Sequence, residues 1–225
     1  MKNIIIYTTN DEVVSLKLVD KLLSEEDFKS YNFDIIVNNS SLFRKIKVLI
    51  VFCFFGSIVE FYRQFKNKIS IKEILSKHKN CKLINKVENN YDYGLNIYGL
   101  KKINLEKFKI YNFHLGSLKN QRGSFIFFYK YIFNWDQIDL TFHEVNKKYD
   151  VGKIYNKRTI DLNKEIKATR ICFLYLYNLD FLKESVKKIE LHNFTENKNY
   201  EKINLVPSFF SLLKLSIKYF FGRTN

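Results

Sequence analysis

The opening of the chain admits few folds. Residues 3–8, Asn-Ile-Ile-Ile-Tyr-Thr, form a continuous β-rich run, the pattern of a strand covered on both faces. Thr9, Asn10 and Asp11 supply turn and N-cap chemistry. Val14, Leu18 and Leu22 then recur every four residues, which puts one apolar stripe on a helix, and residues 33–37 read as a second buried strand. This β-α-β order predicts an α/β sheet with right-handed crossovers.

Residues 40–65 read as helix and are unusually apolar, with Phe52, Phe55, Val59 and Tyr62 on one face and Lys45, Lys47, Arg63 and Lys66 at the ends. Residues 82–87, 93–98 and 109–113 are strand candidates, 124–133 a helix, and 139–145 an alternating strand. Residues 152–159 can return as its antiparallel hairpin partner. Residues 167–188 predict one long amphipathic helix. Residues 208–221 carry an aromatic stripe of Phe209, Leu213, Ile217 and Phe220 beside Lys214 and Lys218. This divides the chain into a catalytic α/β domain over 1–190 and a short helical extension over 191–225, suited to a dimer or surface contact.

At 225 residues, with 46% hydrophobic and 17% aromatic content, the chain has material for a core, which excludes general disorder. One Pro and 7 Gly exclude collagen-like and linker-dominated chains. The net charge of +15 favours anionic partners: nucleic acid, membrane surface or phosphorylated small molecules. Cys53, Cys81 and Cys172 lack metal-ligand spacing, and Cys53 and Cys172 read as buried thiols. The start lacks a long apolar segment with a cleavage site, and the longest uncharged apolar run, 48–59, is shorter than the ~20 residues that span a bilayer. A cytoplasmic protein without stable membrane insertion is expected.

Chemistry concentrates in residues 111–123, Tyr-Asn-Phe-His-Leu-Gly-Ser-Leu-Lys-Asn-Gln-Arg-Gly. Asn112 and His114 are two apart on a strand, so their side chains share a face, near the strand end where open α/β sheets place ligands. Asp150 follows in Tyr-Asp-Val-Gly, a turn between strands. Each has an ordinary structural reading: a hydrogen-bonding histidine, a turn aspartate. Together they suit acyl transfer. An amide steadies a developing oxyanion, an imidazole handles a proton, and a carboxylate orients the imidazole. No Ser, Cys or Lys is placed as a nucleophile, which favours direct transfer over a covalent intermediate.

The ordered set Asn112-x-His114, Arg122-Gly123 and Asp150-x-Gly152 resembles the formyltransferases that use 10-formyltetrahydrofolate. Tyr98-Gly99 resembles that family's folate-side loop, and Thr141-Phe142-His143 its Thr-hydrophobic-His strand. The likeness covers residues 92–160 clearly and the opening β-α-β more loosely. Where the family often has prolines, the loop reads Leu-Gly-Ser-Leu-Lys-Asn, and Phe125 to Phe128 replace the proline after Arg-Gly. These departures touch loop conformation and leave Asn112, His114 and Asp150 in place.

The resemblance implies a Rossmann-like open twisted sheet, mostly parallel with an antiparallel hairpin. It implies Asn112 bonding the formyl oxygen, His114 accepting a proton through a tetrahedral intermediate, and Asp150 orienting His114 or a water. N10-formyltetrahydrofolate would be held largely by backbone at Tyr98, Gly99, Leu100, Asn146 and Tyr149. Ser117, Arg122 and Gly123 would meet the acceptor, Arg122 by contacting a diphosphate. No metal is implied. With only 65 residues after Ile160 and Arg-Gly at 122–123, the chain is most similar to sugar-nucleotide N-formyltransferases. That implies an amino deoxysugar on dTDP, UDP or GDP as substrate, a role in lipopolysaccharide or O-antigen synthesis, a homodimer, and no nucleic-acid partner. The alternatives are a phosphoribosylglycinamide-type or other small-amine formyltransferase, a basic nucleic-acid or membrane-binding module, and a silent homologue kept as a scaffold.

Overall fold

The structure is a computed structural model that describes residues 1–10, 13–39, 41–55, 59, 62, 66, 68–87, 90–99, 107–146, 150–163, 166–196, 204 and 208–221. Its strands are β1 (Asn3–Thr9), β2 (Asn32–Asn38), β3 (Cys81–Leu83), β4 (Tyr93–Ile97), β5 (Ile110–Leu115), β6 (Gln137–Glu144) and β7 (Ile154–Asp161). The helices used below are α1 (Val13–Leu23), α2 (Leu42–Phe55), α3 (Ile71–Lys77), α4 (Ile126–Ile132), α5 (Ala168–Cys172), α6 (Leu174–Tyr177), α7 (Leu179–Glu190) and α8 (Phe209–Phe221).

The strands make one seven-stranded sheet in the order β3-β2-β1-β4-β5-β6-β7. The first five run parallel, while β6 is antiparallel to both β5 and β7. Strand order reverses between β1 and β4, so the sheet has a switch point where crevices form beyond the strand ends. The Rossmann-like, mostly parallel sheet with an antiparallel hairpin is what the sequence predicts.

The two faces of the sheet are unequal. Ile4 and Ile6 of β1, Leu95 of β4, Tyr111 and Phe113 of β5 and Phe142 of β6 join one large core with α1, α2, α4 and α7. Fully burying each aliphatic side chain there contributes about 1.5–3 kcal/mol relative to exposure. The opposite face holds a small cluster around Ile5, Tyr7, Tyr91 and Ile110. Alternation along β5 puts Ile110, Asn112 and His114 on this second face, so the apolar cover gives way to polar residues toward the strand end.

Several expectations change in detail. Residues 82–87 contribute only Leu83 and Lys82 to the short β3. Helix α3 went unread, although Ser70 and Glu73 form a complete capping box at its start. The long helix over 167–188 is broken into α5, α6 and α7 at Phe173 and Asn178. Asn178 holds its break by donating to the Leu174 carbonyl at 2.8 Å, and the break leaves Tyr175 wholly buried. Cys53 is exposed and Cys172 half-buried, not the buried thiols expected. Val59 and Tyr62 are exposed while Phe52 and Phe55 are buried, so these four do not share one buried face. Among the described side chains of α8, Leu212 and Ser216 are buried and Ile217 is exposed; the side chains of Phe209 and Phe220 lie outside the described residues.

Candidate active site

Register builds the centre of the site. Asn96 on β4 pairs with Asn112 on β5, and Asn112 pairs with His143 on β6. Three polar side chains thus form one row across adjacent strands, close enough to bond one another. Asn96 Nδ2 donates to Asn112 Oδ1 at 2.8 Å. Asn112 Nδ2 lies 3.2 Å from His143 Nε2, and His143 Nδ1 is 3.0 Å from the Glu144 carbonyl.

The tautomer follows from these partners. A carbonyl only accepts, so His143 carries its proton on Nδ1, and its bare Nε2 accepts from Asn112. The Asn112 amide is therefore fixed from both sides: its oxygen is occupied, and one of its two N–H bonds is spent on His143. The second N–H remains as a donor. Asn96 Oδ1 is buried with no hydrogen-bond partner among the described residues, a polar atom left at the edge of the same row.

Desolvation by complete burial pushes the His143 imidazole down from 6.5 to about 4. Neutral His143 is what keeps Asn112 a donor, since an imidazolium would present N–H to N–H. The unfolded chain protonates this side chain first. Its contribution to stability is therefore complete above about pH 6.5 and is lost as pH falls toward 4, a total of about 3 kcal/mol. Melting temperatures between pH 7 and 4 should fall more steeply for the wild type than for His143→Gln. Parallel curves would contradict this origin of acid sensitivity.

His114 stands two residues along β5 and is buried. Its Nε2 lies 2.8 Å from the Gln121 carbonyl, so Nε2 carries a proton, and in the neutral imidazole the lone pair is then on Nδ1. Nδ1 faces Asp150 Oδ1 at 3.6 Å. The Tyr175 hydroxyl donates to the His114 carbonyl at 2.6 Å and fixes the strand from beneath. Gly116, at φ +132°, turns the chain so that Gln121 can reach His114; a Cβ there would lie 2.2 Å from the Gln121 carbonyl oxygen. The Gln121 side chain accepts from Ser117 N at 3.0 Å and donates to the Gln137 carbonyl at 2.9 Å, bracing the loop on β6.

Asp150 arrives from the β6–β7 connection in the left-handed region, φ +48°. Asp tolerates this backbone better than most side chains. Its Oδ2 accepts from Gly123 N at 2.6 Å, while Oδ1 lies 3.6 Å from His114 Nδ1 and 3.9 Å from His143 Nε2. Two loops distant in sequence are thereby locked together: Arg122 Nε also donates to the Asp150 carbonyl at 3.2 Å. Gly123 in turn is pressed against Asn204, whose N–H donates to the Arg122 carbonyl at 2.9 Å.

The structure thus gathers Asn112, His114, Asp150, Arg122 and Gly123. The Ser117 hydroxyl accepts from Lys119 N at 3.1 Å and shapes the same loop. Tyr98, at φ +60°, follows β4 and packs edge-on against Tyr175; Gly99 is so close to Asn96 that a Cβ would lie 2.3 Å from Oδ1. Asn146 is exposed. Leu100 and Tyr149 lie outside the described residues. Sequence reading missed Asn96, Gln121 and Tyr175. Position two residues before Tyr98 was a signal for Asn96; Tyr175 had none. Among the described residues no cluster of three His, Cys, Asp or Glu side chains is placed to hold a metal ion.

A surface cleft of about 280 Å³ opens near Asn32, Asp34, Lys82 and Tyr91, on strands other than those carrying this group. Its carboxylate is already engaged, accepting from the Tyr91 hydroxyl at 2.6 Å. The convergence of unlike polar groups marks the Asn112 region as the better candidate.

No protein-family model matches the sequence, and no curated protein matches it. Solved structures do. A sugar N-formyltransferase from a Shewanella species matches with a TM-score of 0.59 over 97% of this chain and 87% of that one, at 15% identity. WlaRD, a sugar 3N-formyltransferase solved in the presence of dTDP and 5-N-formyl-THF, matches with a TM-score of 0.58 over 98% and 79%, at 17% identity. HypX from Aquifex aeolicus matches 97% of this chain with a TM-score of 0.55 and 13% identity, and this chain spans 34% of HypX. The chain has the fold of the formyltransferases.

Proposed function

We propose that the protein moves a formyl group from N10-formyltetrahydrofolate to the amine of a nucleotide-linked amino deoxysugar. The observation that carries this reading is the pairing of a fixed donor with an oriented base. The second N–H of Asn112 and the lone pair of His114 Nδ1 sit on neighbouring positions of one strand face, with Asp150 beside them. Nothing in that set is a nucleophile, so the attacking atom belongs to a bound amine.

In the reaction, the amine nitrogen bonds to the formyl carbon and negative charge collects on the formyl oxygen. Asn112 donates to that oxygen, and because Asn96 and His143 already hold the amide, little reorganisation is needed as charge develops. The proton released by the amine goes to His114 Nδ1. The resulting imidazolium faces Asp150 Oδ1, which stabilises it. The carbon–N10 bond then breaks, and His114 returns the proton to N10 of tetrahydrofolate. Gln121 keeps Nε2 protonated throughout and so directs the exchange to Nδ1.

The formyl donor supplies an activated one-carbon unit; backbone around Tyr98 to Leu100 and Asn146 to Tyr149 would hold its pterin. The nearby amide oxygen of Asn96, buried with no hydrogen-bond partner among the described residues, supports a ligand completing this end of the row. Likeness to WlaRD and the Shewanella enzyme supports a sugar acceptor. Ser117, Arg122 and Gly123 lie on the loop that would meet it, with the Arg122 Nε–H holding Asp150.

Mass spectrometry tests the reading directly. The full chain is incubated with 10-formyltetrahydrofolate and a panel of dTDP-, UDP- and GDP-linked amino deoxysugars. A single formyl mass gain on at least one member is expected. No gain on any sugar, together with no folate binding, would overturn it.

A further inference from the structure

Helices α2 and α8 pack against one another. They bury Val51, Phe52 and Phe55 from one helix and Leu212 from the other. Yet each keeps a second apolar side in water. On α2, Leu42, Ile46, Leu49 and Cys53 are all exposed and recur at helical spacing, beside Phe43 at 74% exposure. On α8, Phe210 is 80% exposed and Ile217 is 41% exposed, with exposed Lys214 between them. Exposed apolar residues on two adjacent helices are more than the scattered singles normal to a protein surface.

Charge says what meets this face. The helices carry Arg44, Lys45, Lys47, Lys214 and Lys218, and no Asp or Glu. Acidic residues are absent from the whole of 35–59 and 202–225. An isologous contact with a second copy would set this basic, acid-free surface against itself. A bilayer with anionic headgroups matches both properties, taking the apolar stripe at the acyl boundary and the cations at the phosphates. At 14 residues α2 is about 21 Å long, short of the ~30 Å hydrocarbon layer. No helix among the described residues is long and apolar enough to cross a membrane.

We propose that α2 and α8 form a face by which the protein lies on an anionic membrane surface. This does not depend on the formyl-transfer reading, since the face shares no residue with the Asn112 row. The probes are phosphatidylcholine vesicles with and without phosphatidylglycerol, sedimented with the full chain at low and moderate salt. Binding to the phosphatidylglycerol vesicles is expected to be at least roughly tenfold tighter and to weaken with salt. The variant Phe43→Ser/Phe210→Ser alters exposed side chains, and a matching melting temperature shows that it folds. Its affinity should fall at least roughly tenfold. Equal binding to both vesicle types, no binding, or an unaffected variant would overturn the proposal. So would a dimer that this variant dissociates, because the face would then belong to a second copy.

Discussion

His114→Ala should lower kcat about a thousandfold, the scale of a lost general base or acid, with little change in KM for the formyl donor. The imidazole is positioned by three independent contacts. Gln121 takes Nε2–H, Asp150 faces Nδ1, and the Tyr175 hydroxyl holds the main-chain carbonyl. The last of these survives truncation to alanine, so the strand end stays in place and the loss falls on proton transfer. His114→Gln separates size from basicity: it can still donate to the Gln121 carbonyl, but it offers no base at neutral pH. Steady-state turnover of the responsive sugar by both variants is the measurement. Activity within roughly tenfold of the wild type would remove His114 from the chemistry.

Asn112→Ala should cost about 10²–10³ in kcat, the usual effect of removing one preorganised oxyanion donor. The effect belongs to the transition state, because the second N–H gains strength only as charge grows on the formyl oxygen. KM should therefore move much less than kcat. Asn96→Ala provides the comparison. It leaves Asn112 in place but removes the N–H that fixes its oxygen, so its loss should be smaller and should vanish in the Asn112→Ala background. Additive losses would mean that Asn96 acts independently of Asn112.

These effects rest on groups of very different visibility in the sequence. Asn112 and His114 stand two residues apart on a strand, and a two-residue period places them on one face whatever surrounds them. The opening parallel unit was equally legible, since residues 3–8 and 33–37 are β-rich, mostly apolar runs and the helix between them keeps a four-residue stripe. Asp150 announced itself only as a turn residue. That it reaches both imidazoles depends on a left-handed backbone and on Gly123, 27 residues earlier, offering its N–H to the carboxylate.

Local chemistry also misled at particular places. Residues 167–188 have a helical pattern, but Tyr175 must drive its hydroxyl down to the β5 and β6 carbonyls, and the helix breaks on either side of it. Cys53 has apolar neighbours along the chain, yet it lies on the outward stripe of α2. Sequence neighbours of a helical residue point in different directions, so apolar surroundings in sequence do not amount to burial.

By itself the sequence determined the parallel β-α-β framework and the strand that presents Asn112 and His114, because both follow from periodicities of two and 3.6 within single segments. Only the tertiary structure decided the donor state of Asn112, the tautomer of His114 and the aim of Asp150. Each is set by partners on other strands and loops: Asn96, His143, Gln121 and Gly123. Such partners come together through sheet register and loop closure, which join positions that no local pattern relates.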